Sequence, residues 1–184
     1  SSLNPRMSVA QLVSEAWTIH PEIDPGPDRR HRLSELLDLV GLRRSDETKH
    51  PHEFSGGQRQ RIGIARALAS GPSVLVCDEP VSALDVSVQA QVVNLLRDIQ
   101  QGIGLSCLFI SHDLAIVRHL ADRVAVMRAG RIVESGSRDD VFDSPQDAYT
   151  VALLQAAPVP DPAVERARRQ ARAAAAATSA QQAG

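Results

Sequence analysis

Hydrophobic residues in the first fifty positions recur every three or four residues, a spacing that predicts helices and no strand. Ser8 and Gln11 form a capping-box pattern ahead of the first amphipathic helix. Its apolar positions are Val9, Leu12, Val13, Ala16 and Trp17. A second apolar group at 33–40 predicts another helix, which Gly41 ends. The chain therefore begins with a helical region.

The pattern changes after Ser55, which we expect to begin a helix that stops at Gly71 and Pro72. Residues 73–77, with the sequence SVLVC, form a short continuous apolar run. Such a run with β-branched residues is typical of a strand buried on both faces, which we predict here. The helical region is thus followed by a sheet.

Asp85 can cap a long amphipathic helix, and a second apolar strand is predicted at 105–110. A strand, a helix and a strand in this order predict a βαβ unit with parallel strands. A short helix is expected at 114–120, followed by a strand at 123–127 and a hairpin at a sheet edge. Two further short helices are predicted, around Val141 and at 148–157.

The composition is that of an ordinary globular protein, with 43% hydrophobic residues, 23% charged residues and a formal net charge of −2. This balance argues against wholesale disorder and against general nucleic-acid binding. Cys77 and Cys107 lie in apolar runs without metal-type spacing, which disfavours a zinc module or a disulfide scaffold. No stretch is long and apolar enough to predict a membrane span.

The sequence FSGGQ places Ser55, Gly56, Gly57 and Gln58 at the start of the predicted helix. Glycines there leave backbone N–H groups accessible beside the positive end of the helix dipole, which suits a phosphate. The alternative is a serine cap followed by glycines that a tight entry turn requires. Both interpretations remain open from this motif alone.

The strand sequence VLVCDEP ends with Asp78 and Glu79, two adjacent carboxylates at the edge where open α/β sheets bind ligands. The pair suits phosphoryl transfer, in which Asp78 would hold Mg²⁺ and Glu79 would deprotonate the attacking water. Alternatively, the two carboxylates are solvated and cap a helix. His112, in the sequence SHD after the second strand, would share this site if the strands are neighbours, although a lone histidine is more often structural.

The ordered set FSGGQ, VLVCDEP, SALD and SHD resembles the signature motif, Walker B strand, D-loop and H-loop of the ATP-binding cassette (ABC) ATPases. Flanking segments, including SSLNPRMSV and SPQDAYTVALLQAAPVPDP, resemble the ATPase subunits of bacterial oligopeptide and dipeptide importers. The resemblance covers about residues 1–162. Residues 147–150 read Asp-Ala-Tyr-Thr where that subfamily usually has His-Pro-Tyr-Thr.

The resemblance implies an α/β, P-loop NTPase-like fold that binds ATP and Mg²⁺. It implies a helical subdomain with the signature motif at 1–72, the C-terminal half of the nucleotide-binding core at 73–157 and a low-complexity tail at 158–184. Ser55, Gly56, Gly57 and Gln58 would contact the ATP of a second ATPase subunit in a homo- or heterodimer, and Asp85 belongs to the D-loop. The resemblance also assigns residues to the ATP that the chain itself would bind. Asp78 would be the metal ligand, and Glu79 and His112 would be catalytic residues.

The implied protein is a peripheral subunit at the cytoplasmic face of the cell membrane. Its implied partners are permease subunits and, indirectly, a solute-binding protein, but no nucleic acid. The 184 residues contain no GxxxxGK motif followed by Ser or Thr, and Lys49 is the only lysine. We therefore expect a C-terminal fragment that lacks the Walker A and Q-loop part and is incompetent alone. The alternatives are a non-catalytic remnant and a non-transport cassette ATPase of the DNA-repair type.

Overall fold

The computed structural model describes residues 3–156, which divide after Ala121 into two compact units. The first unit begins with three helices: α1 (Val9–Ile19), α2 (Arg29–Leu39) and α3 (Gly56–Leu68). These helices confirm the expectation of a helical region before the first strand. Single-turn 3₁₀ segments lie in the connections between them.

The three helices share one hydrophobic core. The indole N–H of buried Trp17 donates to the Ala69 carbonyl over 2.7 Å, which ties α1 to the end of α3. The carboxylate of Glu15 pairs with the guanidinium of Arg66 over 2.7 Å between the same two helices. The largest fully buried side chains of this part of the core are Val9, Leu12, Val13, Trp17, Leu36, Leu37, Val40 and Ile62. The core therefore fixes the direction in which α3 points.

The predicted βαβ unit follows α3. Strands β1 (Val74–Asp78) and β2 (Ser106–Ile110) pair in parallel, so that Val74 lies opposite Ser106 and Asp78 lies opposite Ile110. Helix α4 (Val86–Ile103) connects them, and helix α5 (Leu114–Leu120) follows β2. Gly104 ends α4 with a φ of 67°, a left-handed conformation that favours glycine. The α/β fold class and the parallel pairing are confirmed.

The prediction that β1 is buried on both faces is wrong for the described part of the chain. Leu75 and Cys77 are buried in the core, whereas Val74 and Val76 on the opposite face are 53% and 60% exposed. Leu108 and Ile110 of β2 are also about half exposed. The physical reason is that the helices of the described residues cover only one face of this two-stranded sheet, so the continuous apolar run is half buried.

The second unit contains an antiparallel hairpin of β3 (Arg123–Arg128) and β4 (Arg131–Ser137), followed by helices α6 (Arg138–Asp143) and α7 (Ala148–Ala156). Ala129 and Gly130 form the turn, both with positive φ values of 48° and 76°. The hairpin was expected at the edge of a larger sheet. Within residues 3–156, β3 and β4 pair only with each other.

The residues that depart from the importer pattern have a local structural role. The Asp147 carboxylate accepts the backbone N–H of Tyr149 over 2.8 Å at the start of α7. The Glu134 carboxylate on β4 accepts the N–H groups of Gln146 and Asp147 over 2.8 and 3.2 Å. The guanidinium of Arg128 stacks over the Tyr149 ring at 4.8 Å. This helix is thus held to its hairpin by polar contacts.

The predicted domain boundaries at 72 and 157 remain a prediction, and the tail at 158–184 lies outside the described residues. None of the helices that the structure describes is long and apolar enough to cross a membrane.

Candidate functional site

The start of α3 is closed by a reciprocal capping box. The Ser55 Oγ accepts the backbone N–H of Gln58 over 3.3 Å, and the Gln58 Oε1 accepts the backbone N–H of Ser55 over 3.0 Å. Both side chains are therefore engaged with each other's backbone. The cap alternative is correct as a description of the local structure, and it does not conflict with phosphate binding by the backbone.

Gly56 and Gly57 occupy the first two positions of α3. Their N–H groups precede the first intrahelical bond and have no acceptor recorded among the described residues. A helix start with free N–H groups attracts an anion because the helix dipole adds a partial positive charge. The segment 55–58 thus offers backbone donors, rather than side chains, to a ligand.

The carboxyl end of β1 carries the predicted carboxylates. Asp78 is the last residue of the strand and is exposed. Glu79 follows with a φ of +44°, a left-handed conformation that is costly for a residue with a side chain. Its N–H donates to the Ile110 carbonyl over 2.9 Å, which continues the pairing with β2 for one more residue. The two strands therefore hold the strained backbone of Glu79 in place.

Glu79 and His112 meet at this edge. The His112 Nδ1 lies 2.9 Å from the Glu79 Oε1. The His112 side chain is 74% exposed and the Glu79 side chain is 47% exposed. His112 follows β2, and parallel pairing brings the ends of β1 and β2 together. The contact brings His112 to Glu79, whereas the catalytic roles expected for the two residues remain a prediction. The two side chains remain accessible to a ligand.

Asp85 caps α4 and does not reach the Glu79–His112 pair by any recorded bond. Its Oδ1 accepts the Ser87 hydroxyl over 2.7 Å and the Val88 N–H over 3.0 Å. These hydrogen bonds, the Ser87 hydroxyl first, hold the pKa of Asp85 below its ordinary value of 3.8. The Gln89 side-chain amide also donates to the Val81 carbonyl over 3.0 Å. The segment between β1 and α4 is therefore anchored to the first turn of α4.

The donor set fits Mg²⁺ only in part. Carboxylate oxygens such as those of Asp78 are the ligands that Mg²⁺ takes from proteins, usually one or two at a time beside substrate phosphates. Within residues 3–156, no group of three or more His, Cys, Asp or Glu side chains could form a complete metal cage. The edge is consistent with a metal held jointly by a carboxylate and a nucleotide.

Sequence reasoning missed how the start of α3 is supported. A Cβ built on Gly57 would overlap the Cγ1 of Val88 in α4, and a Cβ on Gly56 would lie 3.1 Å from the Leu84 Cδ2. The segment 55–58 therefore packs directly against the residues that follow β1. Val88 lies in the amphipathic helix that was predicted after Asp85, but the sequence held no signal for its contact with a glycine.

Comparison with protein families matches two regions of the chain. Residues 1–82 match the family described as ABC transporter, and residues 133–184 match the family described as oligopeptide/dipeptide transporter, C-terminal region. The first match contains the segment 55–58 together with Asp78 and Glu79. In these regions the chain is similar to ABC transporter ATPases.

Curated relatives of this chain carry the names of oligopeptide transporter subunits. The oligopeptide transport ATP-binding protein OppF of Streptococcus mutans is 52% identical over 168 residues, which are 91% of this chain and 54% of the relative. OppD of Mycobacterium tuberculosis is 55% identical over 89% of this chain and 26% of the relative. The chain spans about half the length, or less, of the curated relatives it matches.

Solved structures of ABC ATPases share the fold. The cbiO1 protein of Clostridium perfringens, part of the ABC transporter complex cbiONQ, has a TM-score of 0.66 and 32% identity over 74% of this chain and 53% of that protein. The ATP-binding cassette MJ0796, a dimer in a post-hydrolysis state bound to ADP and Pi, has a TM-score of 0.61 and 26% identity over 74% of this chain and 59% of that protein. The ABC ATPase family binds ATP, normally with Mg²⁺, and hydrolyses it.

Proposed function

We propose that this chain is part of the ATP-hydrolysing subunit of a bacterial importer for oligopeptides or dipeptides. The observation that carries the proposal is the 2.9 Å contact between Glu79 and His112 at the carboxyl end of β1, beside Asp78. A carboxylate and an imidazole in contact, both exposed at the ligand-binding edge of a parallel sheet, can act as an acid–base pair.

The residues at the edge take separate roles in this proposal. Asp78 holds Mg²⁺, directly or through water, and Glu79 accepts the proton of the attacking water. His112 orients the Glu79 carboxylate through its Nδ1. When bound, ATP and Mg²⁺ supply the bond to be cleaved and the positive charge that stabilises the leaving phosphate.

The segment 55–58 serves a second nucleotide. Its free N–H groups on Gly56 and Gly57 would bind the phosphates of ATP held by a second ATPase subunit, which makes the active form a homo- or heterodimer. The dimeric state of the ATP-binding cassette MJ0796 supports this arrangement. Asp85, through its cap on α4, would fix the loop that lies between this segment and the edge.

Transport is proposed from the relatives. The OppF and OppD names support oligopeptides as the solute class. Permease subunits as the membrane partners and a solute-binding protein as an indirect partner are part of the same proposal. A peripheral position at the cytoplasmic face of the membrane is consistent with the described helices, none of which could span a bilayer. The match at 133–184 supports the importer type.

The test uses a hybrid protein in which this chain replaces the matched segment of the Streptococcus mutans OppF relative. In a Glu79→Gln background, slow hydrolysis should trap an ATP-dependent dimer, measured by sedimentation with Mg-ATP. Adding Ser55→Arg should abolish the dimer, because a bulky cation would fill the space that the phosphates enter, while Mg-ATP still binds each monomer in calorimetry.

The 184-residue chain by itself is the baseline of this test. It contains no Walker A motif and is expected to show no tight Mg-ATP site in calorimetry. A micromolar dissociation constant for this chain alone would contradict its proposed incompetence. Persistence of the hybrid dimer with Ser55→Arg, at a dissociation constant near that of the parent, would show that the segment does not face a nucleotide.

A further inference from the structure

The two glycines at the start of α3 are not explained by backbone conformation. Gly56 and Gly57 are both helical, and neither has the positive φ that favours glycine over other residues. Glycine also lowers helix stability relative to alanine. Glycine is therefore needed at these positions because neighbouring atoms leave little room for a side chain. The neighbouring atoms differ between Gly56 and Gly57.

Val88 occupies the volume in which a side chain on residue 57 would lie. Gly57 is buried, and a Cβ there would overlap the Val88 Cγ1 and lie 3.8 Å from the Val88 Cβ. Val88 is itself partly buried and packs against the hydrophobic core. A valine has one dominant χ1 rotamer in a helix, so it cannot easily turn away. The packing of α4 on α3 therefore leaves no room for a side chain on residue 57.

The backbone of the same residue is tied to Asp85. The Val88 N–H donates to the Asp85 Oδ1 over 3.0 Å as part of the α4 cap. Val88 therefore contacts the segment 55–58 with its side chain and the segment after β1 with its N–H. Because Val88 contacts both segments, it determines the distance between the start of α3 and the loop that joins β1 to α4.

We propose that Val88 is a positioning residue. Its contact with Gly57 places the N–H groups of Gly56 and Gly57 where they can bind the nucleotide of a partner subunit. Gly57 is then required because of Val88, not because the nucleotide needs the space. This inference rests on the proposed function of the segment 55–58. It goes beyond that function, because it explains the requirement for Gly57 by a packing contact within one chain.

The experiment is a double-mutant cycle between Gly57→Ala and Val88→Ala. It is measured in the Glu79→Gln hybrid as the dissociation constant of the ATP-dependent dimer, and in the 184-residue chain as the midpoint of thermal unfolding. Gly57→Ala alone should weaken the dimer about 5- to 150-fold, the range that overpacking produces. Adding Val88→Ala should bring the constant back to within about threefold of the parent and restore the unfolding midpoint.

The chain offers matched controls for adding one methyl group to a helical glycine. Gly102 of α4 has nothing within 4 Å of its built Cβ, so Gly102→Ala should leave the dimer unchanged. Gly56→Ala should have an intermediate effect, because its built Cβ lies 3.1 Å from the end of the Leu84 side chain, which can move.

The outcomes separate the inference from the proposed function. Restored unfolding without a restored dimer would overturn the inference, because Gly57 would then be needed for the nucleotide itself. Gly57→Ala without effect on either measurement would also overturn it. A parent hybrid that forms no ATP-dependent dimer would overturn the proposed function and, with it, the role of Val88. In that case the unfolding midpoints would still report on the Gly57–Val88 contact alone.

Discussion

The two halves of the candidate site present opposite kinds of groups. At the start of α3, the side chains of Ser55 and Gln58 are hydrogen-bonded to each other's backbone, and the groups left without an acceptor among residues 3–156 are the N–H groups of two glycines. At the end of β1, the backbone of Glu79 is bonded to Ile110 in a strained conformation, and what remains available is the carboxylate and the imidazole of His112.

This difference predicts how substitutions behave in each half. A change at the strand edge alters an exposed reactive group and leaves the packing intact, so activity should fall without a loss of stability. A change at the helix start alters the local structure that displays the backbone, so stability should fall first and activity should follow. The variants below test this contrast.

The largest effect is expected for Glu79→Gln. Loss of a general base should lower ATP turnover of the hybrid protein by about 10²- to 10⁴-fold. The free energy of unfolding of the 184-residue chain should change by less than about 0.5 kcal/mol, because the side chain is about half exposed and glutamine has the same shape. The measurements are steady-state phosphate release and urea denaturation.

The matched control is Glu22→Gln, which alters an exposed carboxylate outside the site, with a side-chain exposure of 69%. It should leave both turnover and unfolding unchanged. Unchanged turnover in Glu79→Gln would show that this residue is not the general base. A large loss of stability in the same variant would contradict the difference predicted between the two halves of the site.

A smaller effect, on stability, is expected for Ser55→Ala. Removing a helix cap costs about 0.5 to 2 kcal/mol of folding free energy, and turnover should fall only as the folded fraction falls. Ser8→Ala is a close control because Ser8 and Gln11 form the same reciprocal box at α1, with distances of 3.3 and 2.8 Å. Its cost in unfolding free energy should be similar. A loss of turnover in Ser55→Ala far beyond that in Ser8→Ala, at equal stability, would show that the Ser55 hydroxyl acts directly on the nucleotide.

The smallest effect is expected from the charge of Asp85, and it should depend on pH. Because the folded pKa lies below the ordinary value of 3.8, the ionised carboxylate stabilises the fold above that value, and the contribution disappears as pH falls through the folded pKa. Asp85→Asn keeps a capping side chain without the charge. The difference in unfolding free energy between parent and variant should therefore be largest near neutral pH and shrink below pH 3.8. A difference that stays constant across this range would contradict the role of the charge.

Features that depend on neighbouring residues were predicted well from the sequence. The capping box at Ser8, the serine cap at Ser55, the helix cap at Asp85 and the order of strands and helices follow from local spacing and turn residues. The meeting of Glu79 and His112 was also accessible, because the rule for a βαβ unit places both strand ends at one edge.

Features that depend on distant packing were not predictable. The apolar run of β1 gave no sign that Val74 and Val76 would be exposed. Hydrophobicity shows that a side chain is suited to burial, but it does not show which element packs against it. The contact of Gly57 with Val88 joins two helices separated by a strand and a loop, and a glycine carries no pattern that identifies its neighbour. Its detection required the relative placement of α3 and α4.

The burial of Trp17 gives this molecule an internal optical reporter. It is the only tryptophan in the 184 residues, it lies in the first unit, and its indole N–H is bonded to the Ala69 carbonyl. The only tyrosine, Tyr149, lies in the second unit beneath the Arg128 guanidinium. Fluorescence excited at the red edge of the absorption band selects the indole and reports on the packing of α1 against α3. The phenol does not absorb at the red edge, so the melting of the first unit can be recorded without a contribution from Tyr149 and without adding a label.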